Sequence, residues 1–193
     1  ALLLDFQATL EIKPEKAIKL EKDALAQIEN ITADNARLVS NLHANLGGLY
    51  RMNGHPDLAR EHMEKSISLL DQFNLLHIND SIPQIANYAM FLTEQQEPER
   101  GISELQKLSG IIKEYHSDDC LDYAKVQETL GTIYLMTANL PQAKTYFKRA
   151  FKIYEKIWAD EPEMIEAKYQ EIQELYPQIG FCIGKNLSGL LTK

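Results

Sequence analysis

The chain has 193 residues, of which 45% are apolar and 25% charged, and a formal net charge of −8. This composition is typical of a globular domain, and an acidic chain is a poor match for nucleic acid or an anionic membrane surface. No apolar run approaches the ~20 residues that a membrane-spanning helix needs, so neither nucleic acid nor membrane is an expected partner.

The predicted elements are helices, and in chain order they recur as pairs. Each pair has an apolar helix, a short polar turn, and a second helix that begins at or near a proline, the residue favoured at the first helical position. No convincing strand alternation occurs anywhere. The pairs occupy residues 1–32, 33–75, 76–117 and 118–160, followed by a degenerate fifth repeat or cap at 161–193.

The pairs repeat with a period of 42 residues. Gly47 and Gly131 lie 84 residues apart, and the small residue Ala89 lies midway between them. Positions 42 residues apart form one column of the repeat, and further columns keep the same period. One contains Ala17, Ala59, Gly101 and Ala143; another contains Pro14, Pro56 and Pro98. The sequence therefore predicts one all-α domain of stacked helical hairpins over residues 1–193.

The small columns are expected where the two helices of a hairpin cross. Helices pack about 8–10 Å apart, and the shorter distances need Gly or Ala at the contact. Packing of this kind is the expected reason for the pair Gly47–Gly48, which has no phosphate-binding motif around it.

Two of the hairpins carry a recognisable motif. Leu130-Gly131-x-x-Tyr134 is followed by Ala143-x-x-x-Phe147, and Leu46-Gly47-x-x-Tyr50 by Ala59-x-x-x-Met63. These segments resemble tetratricopeptide repeats. The period of 42 exceeds the common 34 and is similar to the longer repeats of kinesin light chain and of bacterial peptide-sensing regulators. The resemblance implies a right-handed solenoid of helical hairpins.

Motifs for catalysis or metal binding are missing from the sequence. The five histidines form no H-E-x-x-H or H-x₃-H pattern, and there is no G-x-S-x-G segment. Four of the histidines fall at different places in the repeat, as surface or joint residues would. No catalytic residue, metal site or cofactor is therefore expected, and the chain is not expected to be an enzyme. An enzyme, or an enzyme accessory, with a helical framework stays open as a third reading.

The resemblance implies a binding groove, because the first helices of such arrays line a concave surface. Asn45 and Asn87 lie one period apart there, and their amides can pair with the backbone of an extended peptide. The candidate groove residues are Asn45, Gly48, Arg51, Met52, Asn87, Met90, Glu94, Lys125, Glu128 and Thr132.

The expected partner is a protein or peptide. The groove becomes acidic toward its C-terminal end, so a polar or basic segment is favoured over an acidic one. The resemblance also leaves open a peptide-gated sensor module of a larger bacterial regulator or signalling protein. Cys120 and Cys182 have unrelated spacing, which indicates a reducing, cytoplasmic compartment rather than a disulfide framework.

The first repeat carries large apolar residues on the same stripe, at Leu3, Phe6 and Leu10. Solenoid ends need polar caps, and exposed apolar clusters usually mark a contact. We expect this N-terminal edge to be covered by an upstream segment, by the ligand, or by a second copy in a homodimer.

Overall fold

The computed structural model describes residues 13–177, and all regular elements in that range are α-helices. The eight helices of the described range confirm the predicted all-α fold of helical hairpins. They are α1 (Pro14–Ala26), α2 (Ala36–Met52), α3 (Pro56–Gln72), α4 (Ser81–Glu94), α5 (Pro98–Tyr115), α6 (Leu121–Met136), α7 (Leu140–Ile157) and α8 (Pro162–Leu175).

Three hairpin turns share one backbone geometry that follows the 42-residue period. In each, the second residue after the first helix adopts a positive φ: 74° at Gly54, 64° at Gln96 and 58° at Ala138. The next residue then donates its N–H to a carbonyl five residues earlier, as in a Schellman motif. These bonds are His55 to Tyr50 (2.9 Å), Glu97 to Leu92 (2.8 Å) and Asn139 to Tyr134 (2.7 Å).

The described residues divide into two compact units, one up to residue 104 and one from residue 105 onward, with the division inside α5. In the first unit, α2 packs against α3, α1 against α2, and α3 against α4. One cluster of its buried core contains Leu46, Tyr50, Ala59, Met63, Tyr88, Phe91 and Leu92. The organisation of residues 1–193 as one domain stays a prediction.

In the second unit, α6 packs against α7, and side chains of α8 complete the core. Gly131 lies at the α6–α7 contact, where an added Cβ atom would be 2.8 Å from the ring of Phe147. That distance explains the small residue, as the sequence predicted. One cluster of the buried core here contains Ala143, Phe147, Phe151, Tyr169 and Ile172.

Candidate functional site

The first unit has a cleft between α2 and α4, with α3 as its floor. Its volume is about 230 Å³. We call it the α2–α4 cleft. The lining residues are Ala44, Gly48, Arg51, Met52, Met63, Ser66, Gln84 and Asn87. Four of the predicted groove residues lie in it: Gly48, Arg51, Met52 and Asn87.

One end of the cleft is a fixed polar network. The Oε1 atom of Gln84 accepts hydrogen bonds from the hydroxyls of Ser40 (2.8 Å) and Ser66 (2.6 Å). The amide nitrogen of Gln84 donates to Asn41 Oδ1 at 2.6 Å. Ser40 and Ser66 are fully buried, so the network also holds α2, α3 and α4 together. The sequence analysis did not predict Ser66 or Gln84 as site residues. A polar residue at a helical position expected to face a neighbouring helix is the signal that could have indicated them.

Asn87 is exposed and lines the cleft. No side-chain hydrogen bond joins its amide to another residue of the range 13–177, so it can offer a donor and an acceptor to a ligand. Asn45 occupies the same column but is placed differently. It is half-buried, and its amide nitrogen donates to Glu21 of α1 at 3.0 Å. The structure therefore does not bring Asn45 and Asn87 into one cleft.

Arg51 and Glu94 pair with each other between α2 and α4. Arg51 Nε lies 2.8 Å from Glu94 Oε2, and Arg51 Nη2 contacts Glu94 Oε1. Both side chains remain about one third exposed. The pair neutralises two charges at the cleft. Met52, beside Arg51, is 79% exposed, and Met90 is half-buried on α4.

The three remaining predicted residues of the groove lie in the second unit. Lys125 is exposed and lines a separate cleft of about 310 Å³ formed by α6, α7 and α8. Glu128 accepts a hydrogen bond from the Tyr154 hydroxyl at 2.6 Å and forms an ion pair with Lys168 at 2.9 Å. The Thr132 hydroxyl donates to the backbone carbonyl of Glu128 at 3.1 Å. Glu128 and Thr132 are thus engaged within the unit.

Residues 81–156, which cover helices α4 to α7 almost completely, match the family model of the tetratricopeptide repeat. This part of the chain has the sequence pattern of tetratricopeptide repeats. No curated protein matches the chain in sequence.

Solved structures show the same fold. BtubC (BKLC) from P. vanneervenii superimposes with a TM-score of 0.70 at 18% identity, over 93% of this chain and 74% of that chain. The tetratricopeptide-like repeats of a putative kinesin light chain from Podosopora anserina superimpose with a TM-score of 0.64 at 14% identity, over 75% of this chain and 68% of that chain. A point variant of that protein superimposes with a TM-score of 0.66 at 14% identity, over 76% of this chain and 69% of that chain. These likenesses confirm the kinesin-light-chain type of repeat fold.

In terms of tetratricopeptide repeats, the α2–α4 cleft lies between the first helices of two consecutive repeats.

The ion pair of Glu128 with Lys168 has a different role, because it holds α8 on the preceding repeat. Burial and the neighbouring Glu128 raise the pKa of Tyr154. Burial opposes the charge of Lys168, but Glu128 and Glu171 raise its pKa above the ordinary value. Tyr154 is therefore neutral and Lys168 charged at neutral pH.

Three further predictions concern the N-terminal edge, metal binding and membrane-spanning helices. The apolar residues of the N-terminal edge, Leu3, Phe6 and Leu10, lie outside the described residues. Between residues 13 and 177, no group of three or more His, Cys, Asp or Glu side chains could hold a metal ion. The helices of that range include none long and apolar enough to cross a membrane.

Proposed function

We propose that this tetratricopeptide repeat protein is a non-catalytic scaffold that binds an extended segment of a protein partner in the α2–α4 cleft. The observation that carries the proposal is the position of Asn87. Its exposed amide faces a cleft that already has a fixed polar end at Gln84. An amide in this position can pair with the peptide backbone of a bound segment whatever its sequence.

The rest of the lining fits a peptide better than a small molecule. A volume of about 230 Å³ is below the ~300–1,000 Å³ typical of small-molecule pockets. Met52 offers an exposed, flexible and polarisable surface, which suits contact with varied apolar side chains. The net charge of −8 favours a polar or basic segment over an acidic one.

The test begins with affinity capture by the immobilised full chain and by its Asn87→Ala variant. Proteins retained by the wild type and lost with the variant are candidates. Peptides from their sequences are then titrated against both chains by fluorescence polarisation. We expect the variant to bind at least about tenfold more weakly, as loss of a well-placed hydrogen bond can cause.

Asn30→Ala is the matched control, because Asn30 is exposed and lies outside the cleft. It should bind like the wild type. Equal affinity of the wild type and Asn87→Ala for every captured peptide would contradict the proposal.

Three finer expectations belong to the same proposal. A peptide-gated sensor differs from a constitutive scaffold in that the peptide should change the affinity for a second partner. A homodimer through the N-terminal edge should be lost with Phe6→Ser and Leu10→Ser, as measured by light scattering. A cytoplasmic location, expected from the cysteines, can be tested with a fluorescent fusion of the full-length protein.

A further inference from the structure

Two histidines meet on the opposite side of the hairpin formed by α2 and α3. His43 Nδ1 and His62 Nδ1 are 2.8 Å apart, a hydrogen-bond distance. The ring of Tyr50 stacks on His62, with centroids 5.4 Å apart and planes at 17°. The sequence predicted scattered surface or joint histidines; the fold instead joins two of them across a hairpin.

This pair lines a second cleft of the first unit, between α1, α2 and α3. Its volume is about 300 Å³. We call it the α1–α3 cleft. Its lining residues are Leu25, Ile28, Ile31, Val39, His43, Glu61, His62 and Lys65. The cleft gives water and protons access to the pair, although both rings are half-buried.

The contact between the rings tolerates only certain protonation states. A neutral imidazole has one N–H donor and one acceptor nitrogen, so two neutral rings can share one hydrogen bond. A fully protonated imidazolium is a donor at both nitrogens. If both rings are protonated, two N–H groups face each other at 2.8 Å and the rings must separate.

Charged groups on α1 and α3 affect the protonation of the pair. Lys22 of α1 and Lys65 of α3 oppose protonation, whereas Glu61 of α3 favours it. Burial has the largest effect and lowers the pKa of His43 to about 4 and that of His62 below its usual 6.5. On α2, Tyr50 stacks on His62 and also meets the ring of His55 edge-on.

The pair is directly connected to the α2–α4 cleft. His43 precedes Ala44, and His62 precedes Met63; both Ala44 and Met63 line that cleft. A displacement of α2 from α3 at the histidines therefore moves a wall of the cleft relative to its floor.

We propose that the His43–His62 pair is a proton-operated switch whose double protonation in acid separates α2 from α3 and reshapes the α2–α4 cleft. This inference rests on the proposed function, because that cleft is the proposed ligand site. It assigns a regulatory role to residues that the ligand does not contact.

The experiment needs no ligand. The full chain is labelled at its methionine methyl carbons, and methyl and imidazole NMR signals are followed from pH 8 to about pH 3, below the pKa of about 4 of His43. Met52 and Met63 report on the α2–α4 cleft, while Met136 and Met164 of the second unit are internal controls. We expect the signals of Met52 and Met63 to shift with the second, more acidic imidazole titration, in which the pair becomes doubly protonated, while the control signals stay in place.

His62→Phe keeps an aromatic ring on Tyr50 but cannot take up the proton, so it should lose the shift of Met63. His55→Phe is the matched control and should retain it. Should His62→Phe fail to fold, His43→Gln replaces it. An unchanged Met63 titration in the variant, or joint movement of all methionine signals in the wild type, would overturn the switch. Failure of the peptide titrations with a normal methyl titration would instead count against the proposed function alone.

Discussion

Gly47 of α2 lies against Met63 of α3 so closely that a Cβ atom at position 47 would be 2.6 Å from Met63 Cγ. It would also lie 3.2 Å from the backbone nitrogen of Met63, which cannot rotate away. Gly48, the next residue, has open space: nothing lies within 4 Å of its Cβ position. Helix packing therefore explains Gly47, as the sequence predicted, but the same expectation for Gly48 is wrong.

This difference predicts opposite effects of two adjacent substitutions. Gly47→Ala should lower the free energy of unfolding by about 1–3 kcal/mol, because the added methyl overpacks the α2–α3 contact. Gly48→Ala should raise it by up to ~1 kcal/mol, because Ala is the better helix former. Urea denaturation followed by circular dichroism measures both. Equal effects of the two substitutions would show that close packing does not distinguish the glycines.

The two asparagines of one column should also behave differently. Asn45→Ala should destabilise the chain by about 1–3 kcal/mol, because the buried carboxylate of Glu21 loses a donor. Asn87→Ala should change stability by less than ~0.5 kcal/mol, since the side chain is exposed. Thermal and urea denaturation of both variants tests this. A large loss of stability in Asn87→Ala would mean that its amide has a structural partner.

In the second unit, Glu128→Gln should lower the free energy of unfolding by about 1–3 kcal/mol. The substitution weakens a partly buried ion pair with Lys168, whose side chain is only 19% exposed. Trp158 is the chain's single tryptophan and stacks on Tyr154 at 4.8 Å, so its fluorescence follows unfolding of this unit. Glu174→Gln changes an exposed residue; it is the control and should leave the free energy of unfolding unchanged. If Glu128→Gln also left it unchanged, apolar contacts and not the ion pair would stabilise α8.

Stability should fall in acid because of the histidine pair. In the unfolded chain, His43 binds a proton below its ordinary pKa of 6.5. In the folded chain its pKa is about 4, so it stays neutral until the pH falls to that value. The free energy of unfolding should therefore be constant above pH 6.5 and decrease from there toward pH 4. His43→Gln should make this decrease shallower. Denaturation curves at several pH values measure it, and identical pH dependence of variant and wild type would contradict the prediction.

The carboxylates provide a second, lower window. The Arg37 guanidinium lowers the pKa of Asp80, and Arg100 and Arg60 lower that of Glu97. Their contribution is present above their ordinary pKa values of 3.8 and 4.5 and is lost below them. Both variant and wild type share this loss, so the difference between them isolates the histidine.

The helices, the 42-residue period and the hairpin turns could be predicted from the sequence. These features are local. The positive φ at Gly54, Gln96 or Ala138 depends on residues only a few positions away, and the small residue at a helix crossing meets the next helix of the same hairpin. The repetition of such signals in register made the tetratricopeptide repeat recognisable without any structure.

Which members of a column are available to a ligand could not be predicted from the sequence, because it depends on contacts between helices. A helical stripe fixes the direction of a side chain around its own helix, but its partners come from other helices. Asn45 meets Glu21, whereas the residue 42 positions after Glu21 is the apolar Met63 on the floor of the cleft at Asn87. The same amide is therefore held in one repeat and available in the next, because a carboxylate in the neighbouring helix has been replaced by a thioether.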